Sequence, residues 1–297
     1  MIDFAQVKTY PIAERNNKFH LQDMIIPGTQ SAFTDPRLDE IAAAIVQARE
    51  KGKKVIMMIG GAVVKVGCSA IIIDLIQKGF IHHIALNGGA SIHDFELALI
   101  GETSEDVPNG LADGSFGMAE ETLSIMNAAL NEGARENLGY GNAIACKIDE
   151  LQLPHRDSNI LYSAMKSDIP ATVHIAIGGD IIHQHPSCDG AVLGQTSFQD
   201  FHIITDTISE LVGGVLLNVG SAVNLPEVFL KGLTICRNLG YDVREFVSAN
   251  FDFLDMYRPR TRIVEWPAVL DCRGFDLRGN HTETLPALYN KIMEIAG

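Results

Sequence analysis

The sequence predicts an α/β fold in which a mostly parallel, doubly wound sheet is flanked by helices. Short apolar runs that end in glycine alternate along the chain with segments of helical periodicity. Such alternation is typical of strand–helix–strand units joined by right-handed crossovers. The clearest unit spans residues 55–94, where the apolar runs Val55–Ile59 and Ile81–Leu86 enclose the helical segment Ser69–Lys78.

The other predicted elements continue this alternation from the N-terminus to the C-terminus. Asp35 and Pro36 suit the N-cap and the first position of a helix that runs to Glu50. Strands are predicted at Ala171–Ile177, Gly214–Val219, Phe246–Ala249 and Val269–Asp271. Helices are predicted at Asp94–Ile100, Met118–Glu132, Asn142–Leu151, Ser158–Lys166, Phe198–Leu211, Pro226–Asn238 and Leu285–Ile295, with a long loop at Asp106–Ser115. Residues 1–35 are expected to form an N-terminal arm, and residues 36–297 a single domain.

Composition narrows the class of protein. A net charge of −14 disfavours nucleic acid and anionic membranes as partners. The five cysteines form no CxxC pair, so neither a disulfide framework nor a zinc ribbon is indicated. No apolar run reaches the roughly 18–20 residues of a membrane span, and the N-terminus is polar, which together predict a soluble cytoplasmic protein. Neither a GxxxxGK[ST] loop nor a GxSxG elbow occurs, which disfavours a Walker ATPase and an α/β-hydrolase.

Glycines follow three of the predicted strands, at Gly60-Gly61, Gly88-Gly89 and Gly220. The carboxyl ends of parallel strands meet at one edge of a sheet, where open α/β folds bind their ligands. Glycine there lets backbone N–H groups approach a phosphate closely. The pattern therefore predicts a nucleotide site of the NAD type, although glycine is also common wherever a strand turns into a helix.

A histidine-rich loop follows the predicted strand that contains His174. His183, His185 and Cys188 are candidate metal ligands because an HxH pair in a strand-end loop can bind zinc or iron. The alternative is a polar loop that lines a cofactor cleft. No second spaced pair of ligands accompanies the HxH pair, so the sequence favours the polar loop and predicts no metal.

Two other clusters of basic side chains have simple interpretations. His82 and His83 precede a predicted strand and are expected in a surface turn. Arg258, Arg260 and Arg262 form the only dense basic cluster, which indicates local ion pairing or an anion site.

Residues 55–94 resemble the deoxyhypusine synthase family in the segments IGGAVVKVG, IIIDLIQKGF and LNGGASIHDFE. Toward the C-terminus the resemblance continues more weakly in CDGAVLG and in VEWPAVLDCRGFDLRGNHTETLP. It implies a Rossmann-like NAD-binding fold, assembly as a homotetramer and a small-molecule substrate. Members of that family oxidise spermidine with NAD and transfer its butylamine group, through an imine on a lysine, to a protein lysine or to another polyamine.

The resemblance also assigns positions that contact the cofactor. These positions lie in the first and second glycine loops, at the acidic position after the second loop, in the Asp-Gly loop and at the end of the last strand. The assigned residues are Gly60, Gly61, Ala62, Asn87, Gly88, Gly89, Asp94, Asp189 and Asn280. Asp180 is a rival to Asp189 for the Asp-Gly position.

The catalytic half of the family pattern is altered in this chain. Trp266 matches the family's tryptophan, but the lysine two residues beyond it is Ala268, which cannot form an imine. The acidic residue four positions before the tryptophan is Arg262, which would repel a polyamine and favour a carboxylated substrate. These changes predict altered chemistry in the pocket.

The sequence therefore predicts an NAD-dependent protein that acts on an amine-type small molecule bound against Trp266. His93, His183 and His185 are the candidate proton acceptors, because histidine titrates near neutral pH. One alternative is true aminobutyl transfer from spermidine by way of another lysine. A second alternative is a metal-binding or ligand-binding protein without the family's catalysis.

Overall fold

A computed structural model of the protein describes residues 2–297, and its strands form two sheets. The main sheet contains β2 (Val55–Ile59), β3 (His83–Asn87), β5 (Ala171–His174), β6 (Val215–Val219), β7 (Val247–Asp252) and β8 (Arg273–Arg278). The small antiparallel sheet contains β1 (Asn17–His20) and β4 (Glu102–Glu105). This small sheet ties the N-terminal arm to the body of the protein.

Twelve α-helical segments lie within residues 2–297. Their bounds are α1 (Arg37–Glu50), α2 (Gly61–Lys65), α3 (Ser69–Gln77), α4 (Gly88–Ile100), α5 (Val107–Asp113), α6 (Glu120–Arg135), α7 (Tyr140–Glu150), α8 (Ile160–Lys166), α9 (Gly190–Ser209), α10 (Asn224–Asn238), α11 (Tyr257–Pro259) and α12 (His281–Ala296). A π-helix covers Arg260–Glu265, and short 3₁₀ segments include Ile12–Glu14, Ile181–Gln184 and Trp266–Leu270. No helix within this part of the chain has both the length and the apolar character needed to cross a membrane.

The main sheet is parallel throughout, in the spatial order β5-β3-β2-β6-β7-β8. The chain winds outward from β2 through β3 to β5, and then returns to build β6, β7 and β8 on the other side. The order thus reverses between β2 and β6, which defines the topological switch point of a doubly wound fold. Helices cover both faces, so β2 is buried on both sides and reads as the continuous apolar run VIMMI. The predicted fold class is confirmed.

The strand predicted at Val269–Asp271 is wrong. The chain forms a 3₁₀ helix over Trp266–Leu270, and Asp271 then adopts the left-handed conformation with φ 59°. Pro267 at the start of this turn favours it over a strand. The last strand is β8, which lies at the edge of the sheet. Its residues are partly charged and half-exposed, so they do not form the apolar run by which the other strands are predicted.

Two helices also differ from the prediction. The helix predicted from Phe198 begins at Gly190, where Asp189 Oδ1 caps it by accepting hydrogen bonds from the N–H groups of Ala191 and Val192. Glycines in its first turns lower the helical signal. Part of the loop predicted at Asp106–Ser115 is α5.

The buried carboxylate of Asp200 joins α7 to β5. Asp200 Oδ2 accepts hydrogen bonds from Gly141 N at 2.9 Å and from Val173 N at 2.6 Å. Asp200 Oδ1 has no partner among residues 2–297 and lies where a Cβ on Gly139 would stand. Burial raises the pKa of Asp200 from its ordinary value to about 8, because no cation compensates the charge.

We expect Asp200→Asn to gain stability relative to the wild type as pH rises. A carboxyl whose pKa is raised in the folded state binds its proton more tightly when folded, so its contribution to the free energy of unfolding falls between about pH 4 and pH 8. Asparagine keeps the accepting oxygen without the charge, whereas Asp200→Ala should cost about 2 kcal/mol or more through the two unpaired N–H groups. Urea unfolding at pH 5 and pH 9 measures both variants. An unchanged difference between wild type and Asp200→Asn across these pH values contradicts the assignment.

Candidate functional site

A cavity of about 300 Å³ lies beside the carboxyl end of β3, between α4, the loop after β5 and the N-terminal arm. The arm contributes Arg15, α2 contributes Lys65, and α4 contributes Gly89 and His93. Asp180, from the loop after β5, also lines it. This volume suits a small metabolite or one part of a larger ligand, since ligand pockets span about 300–1,000 Å³.

His93 presents an unprotonated nitrogen because its partners fix its tautomer. Thr103 donates its hydroxyl hydrogen to Glu96 Oε2 at 2.6 Å, and Thr103 Oγ1 lies 2.7 Å from His93 Nδ1. Since that hydroxyl hydrogen is already engaged, His93 Nδ1 must donate and His93 Nε2 must be bare. Burial lowers the pKa of His93 to about 4, so the ring is neutral at pH 7.

An arginine from the arm completes this network. Arg15 Nη1 donates to Glu96 Oε1 at 2.8 Å, and the two side chains are only 4% and 2% exposed. Glu96 Oε1 also accepts from Thr122 at 3.1 Å. Arg15 Nη2 is buried and has no hydrogen-bond partner within residues 2–297. Arg15 also lines the cavity.

Asp180 supplies an unpartnered acceptor at the start of α4. A Cβ on Gly88 would lie 1.9 Å from Asp180 Oδ2, so only glycine allows the carboxylate to stand there. Asp180 Oδ2 is buried without a partner, and burial raises the pKa of Asp180 to about 6. His183 Nδ1 accepts from the N–H groups of Gly178 and Asp180 at 3.1 and 3.2 Å. His183 Nε2 therefore carries the proton and stands 4.0 Å from Asp180 Oδ2.

The glycine loops have different tasks. Gly60 packs against the next strand end, because a Cβ there would lie 1.9 Å from the carbonyl oxygen of Gly220. Gly61 lets α2 approach α4, where a Cβ would lie 3.2 Å from the carbonyl carbon of Gly89. Gly89 has no atom closer than 3.7 Å to its Cβ position and borders the cavity. The structure thus brings together Gly61, Gly88, Gly89 and the cap residue Asn87, with Ala62 next to Gly61 in α2.

Asp94, Asp189 and Asn280, which are also assigned to the cofactor, do not line the cavity. Asp94 caps α8, because its two carboxylate oxygens accept from Ile160 N at 2.8 Å and Leu161 N at 3.1 Å. Asp189 caps α9, as described above. Asn280 is exposed at the start of α12, after the edge strand β8. Asp180 therefore suits the acidic position better than Asp189.

Trp266 does not belong to the cavity. It lies in the segment before β8, and β8 begins where Arg273 pairs with Val247, at the end of the sheet opposite the glycine loops. Trp266 packs beside the middle and C-terminal half of α10, with the Arg262 guanidinium 4.5 Å from its ring centre. The predicted substrate contact at Trp266 is not supported, because the sequence could not show on which edge the tryptophan lies.

The arginine cluster is occupied by ion pairs. Arg262 contacts Glu227 at 2.9 Å, and Arg260 contacts Asp255 at 2.9 Å. Arg258 also contacts Glu227, at 3.3 Å. These guanidinium groups are therefore already paired and do not line the cavity, whereas Arg15 does.

The candidate metal ligands do not converge. Across residues 2–297, no group of three or more His, Cys, Asp or Glu side chains is placed to hold a metal ion. His183 bonds the backbone of its own loop, whereas His185 pairs with Ser187 at 2.6 Å and Glu120 at 3.4 Å. The loop instead borders the cavity through Gly179, Asp180 and Ile181.

Sequence reasoning missed Arg15, Glu96 and Thr103. Arg15 lies in an arm without a strong periodic signal, and its partners are distant in sequence. The one available signal is Glu96, a charged residue at an otherwise apolar stretch of α4 that is 1% exposed. A buried charge of this kind requires a partner.

The fold and the cavity define a Rossmann-like α/β protein with a cavity at the carboxyl edge of its sheet. Residues 39–147, from α1 into α7, match the family model for the C-terminal Rossmann-fold domain of ArgZ-like arginine dihydrolases. An ornithine cyclodeaminase from Methanothermobacter thermautotrophicus is 25% identical over 147 residues, which are 48% of this chain and 32% of that protein.

Two solved structures share the fold. AgrE, crystallised with ornithine and NAD⁺, superposes with a TM-score of 0.54 at 14% identity, covering 88% of this chain and 34% of that one. A putative deoxyhypusine synthase from Entamoeba histolytica gives a TM-score of 0.51 at 11% identity, covering 88% of both chains. At such identities the likeness shows the fold alone. The chain spans about a third of the length of the cyclodeaminase and of AgrE.

Proposed function

We propose that this protein binds NAD and oxidises a small amine in the cavity beside His93. The observation that carries this proposal is the bare Nε2 of His93, held by Thr103 and Glu96 at the carboxyl edge of the sheet. The comparison with AgrE, a protein crystallised with ornithine and NAD⁺, and with an ornithine cyclodeaminase supports both cofactor and substrate class. The sequence also predicts NAD-dependent amine chemistry.

The residues at this edge fit NAD. Gly89 leaves the backbone open at the first turn of α4, where N–H groups favour a phosphate. Asp180 Oδ2 is a buried acceptor without a partner, which a ribose hydroxyl would satisfy. The side-chain amide hydrogens of Asn87, at the end of β3, have no hydrogen-bond acceptor among residues 2–297. Gly61 permits the close packing of α2 on α4 that places these groups together.

The charges in the cavity suit a molecule with both an amine and a carboxylate. Arg15, Lys18 and Lys65 supply positive charge, whereas Glu96, Glu105 and Asp180 supply negative charge. Three cations thus face three carboxylates, a balance that matches a ligand with both signs of charge better than a polyamine, which carries only positive groups. We therefore propose an amino acid with a basic side chain, bound through its carboxylate at Arg15 Nη2.

His93 would take the proton that leaves the amine nitrogen. NAD supplies the hydride acceptor when bound. Proton transfer at pH 7 to an imidazole whose pKa is about 4 costs on the order of 4 kcal/mol. The charge of Glu96 raises the pKa of His93 and is already included in this value, so the cost would be larger without it. Thr103 holds the ring in the accepting tautomer throughout.

Calorimetric titration with NAD, followed by chromatography of amine mixtures, tests this proposal. We expect saturable NAD binding and NAD-dependent consumption of ornithine or a similar amino acid in preference to putrescine or spermidine. Absence of NAD binding removes the proposal. NAD binding with preferred consumption of spermidine keeps the cofactor and overturns the substrate class.

Aminobutyl transfer remains a second candidate because another lysine does reach the cavity. Lys65 lies on its border, although Ala268 replaces the family's lysine. An imine on Lys65 would be trapped by borohydride in the presence of NAD and labelled spermidine. A labelled peptide containing Lys65 supports this candidate, and its absence under conditions of turnover excludes it.

Small molecules are the proposed partners, and a homotetramer is the proposed assembly. The tetramer rests on the resemblance to deoxyhypusine synthases alone. Sedimentation velocity over a range of concentrations checks it, and a monomer at all concentrations contradicts it.

A further inference from the structure

A continuous chain of hydrogen bonds crosses β3 and β5 beneath α9. His83 Nδ1 lies 2.8 Å from Thr207 Oγ1, and His83 Nε2 lies 2.9 Å from Thr172 Oγ1. Thr172 Oγ1 is also 3.0 Å from His174 Nε2. The surface turn predicted for His83 is therefore wrong: this residue begins β3 between two strands and is fully buried.

The direction in which hydrogens are donated along this series of hydrogen bonds is set at Thr207. Thr207 donates its hydroxyl hydrogen to the carbonyl oxygen of Ile203 at 3.3 Å, so His83 Nδ1 donates to Thr207 and His83 Nε2 accepts from Thr172. Thr172 must then accept from His174 Nε2, because it has only one hydrogen to donate. His174 Nδ1 is left without a proton. Burial lowers the pKa of both histidines to about 3, so neither ring becomes charged at pH 7.

The chain cannot carry a proton through the protein, since it ends at a carbonyl oxygen. Its effect is to hold His174 as a neutral acceptor at the carboxyl end of β5. No hydrogen bond to His174 Nδ1 is formed by any residue from 2 to 297, and the residue is 3% exposed. An acceptor held in this way takes a hydrogen bond from water or from an N–H or O–H group of a ligand.

A donor stands on the neighbouring strand. Asn87 pairs with His174 in the parallel ladder, where neighbouring strands are about 4.8 Å apart. Asn87 Oδ1 accepts from Ala90 N at 2.8 Å, which identifies the other atom as the amide nitrogen and leaves its hydrogens unused. The ends of β3 and β5 thus present a donor beside an acceptor.

Two further side chains hold the backbone at the end of β5. Ser197 Oγ donates to Val173 O and accepts from Ile175 N, and Asn224 Nδ2 donates to His174 O. The start of α10 and the first half of α9 therefore fix the position of His174.

We propose that Asn87 and His174 bind a planar edge of NAD in which an N–H donor stands beside an acceptor. Adenine has such an edge at its amino group, and nicotinamide has one at its carboxamide. This inference rests on the NAD binding proposed above, and it assigns the residues that form hydrogen bonds with the ring.

Calorimetry with three dinucleotides tests it: NAD, the hypoxanthine analogue, in which the adenine donor and acceptor are exchanged, and the 3-acetylpyridine analogue, which lacks the carboxamide N–H. We expect one analogue to bind the wild type at least tenfold more weakly than NAD. Which analogue is weakened identifies the ring. Thr172→Val, which frees the His174 tautomer, and Asn87→Asp, which keeps the helix cap but removes the donor, should reduce this discrimination to below threefold.

Equal binding of all three dinucleotides to the wild type overturns the inference and leaves the proposed function standing. Absence of NAD binding removes both. Discrimination that persists in both folded variants also overturns it. Should a variant fail to fold, nitrogen-15 NMR of the wild type decides instead, since a proton on His174 Nδ1 contradicts the tautomer on which the inference depends.

Discussion

Replacing His93 with glutamine should lower the turnover number for the amine substrate by about 10²–10⁴-fold, the usual contribution of a general base. The amide retains a hydrogen-bond donor toward Thr103 but cannot accept the proton. NAD affinity should change by less than about threefold, because the tautomer network lies beside the glycine loops without forming them. Steady-state kinetics and calorimetry on the same preparation measure the two quantities.

A matched control is available on the surface. His202→Gln makes the same substitution at an exposed histidine of α9, where turnover should be unchanged. Thr103→Val tests the positioning of His93, since loss of the hydroxyl should lower turnover and alter its pH profile, whereas a structural role alone would leave the profile as it was. Full turnover in His93→Gln would exclude this residue as the base.

Replacing Gly60 with alanine should destabilise the fold by about 3 kcal/mol or more, the upper range for overpacking a core. The new Cβ would lie 1.9 Å from the carbonyl oxygen of Gly220, and both positions belong to strand ends fixed by backbone hydrogen bonds. Neither can move without breaking the pairing of β2 with β6. Urea unfolding measures the loss.

Two other glycines separate this packing role from ligand binding. Gly194→Ala, in α9 with no atom within 4 Å of its Cβ position, should gain up to about 1 kcal/mol. Gly89→Ala should leave stability intact and weaken NAD binding, since its open backbone borders the cavity. A Gly60→Ala protein as stable as the wild type would show that the strand ends are less rigid than the structure indicates.

The main elements could be predicted because their signals are local. Apolar runs followed by glycine identify strands of a parallel sheet. The strands and the helix between Val55 and Asp94 can therefore be predicted without knowledge of residues distant in sequence. The edge strand β8 was missed for the opposite reason. One side of an edge strand has no neighbouring strand, so its residues need not be apolar, and Arg273–Arg278 alternates instead.

The candidate site was predicted only in part because its residues meet across long distances in sequence. His93 and the loop from Asn87 to Gly89 were found, since they follow a strand and belong to one helix. Arg15 was missed because its partner Glu96 lies on a different element. Trp266 was misplaced because a residue between two strands can lie at either edge of the sheet.

By itself the sequence determined that this protein is a doubly wound α/β protein with small residues at the ends of its strands. Hydrophobic periodicity and glycine positions are properties of neighbouring residues, and they suffice for that conclusion. Only the tertiary structure decided what each glycine does: Gly60 packs against a strand end, Gly88 admits the Asp180 carboxylate, and Gly89 faces a cavity. It also decided the tautomers of His83, His93 and His174, because the proton on each ring follows from hydrogen bonds that only folding assembles.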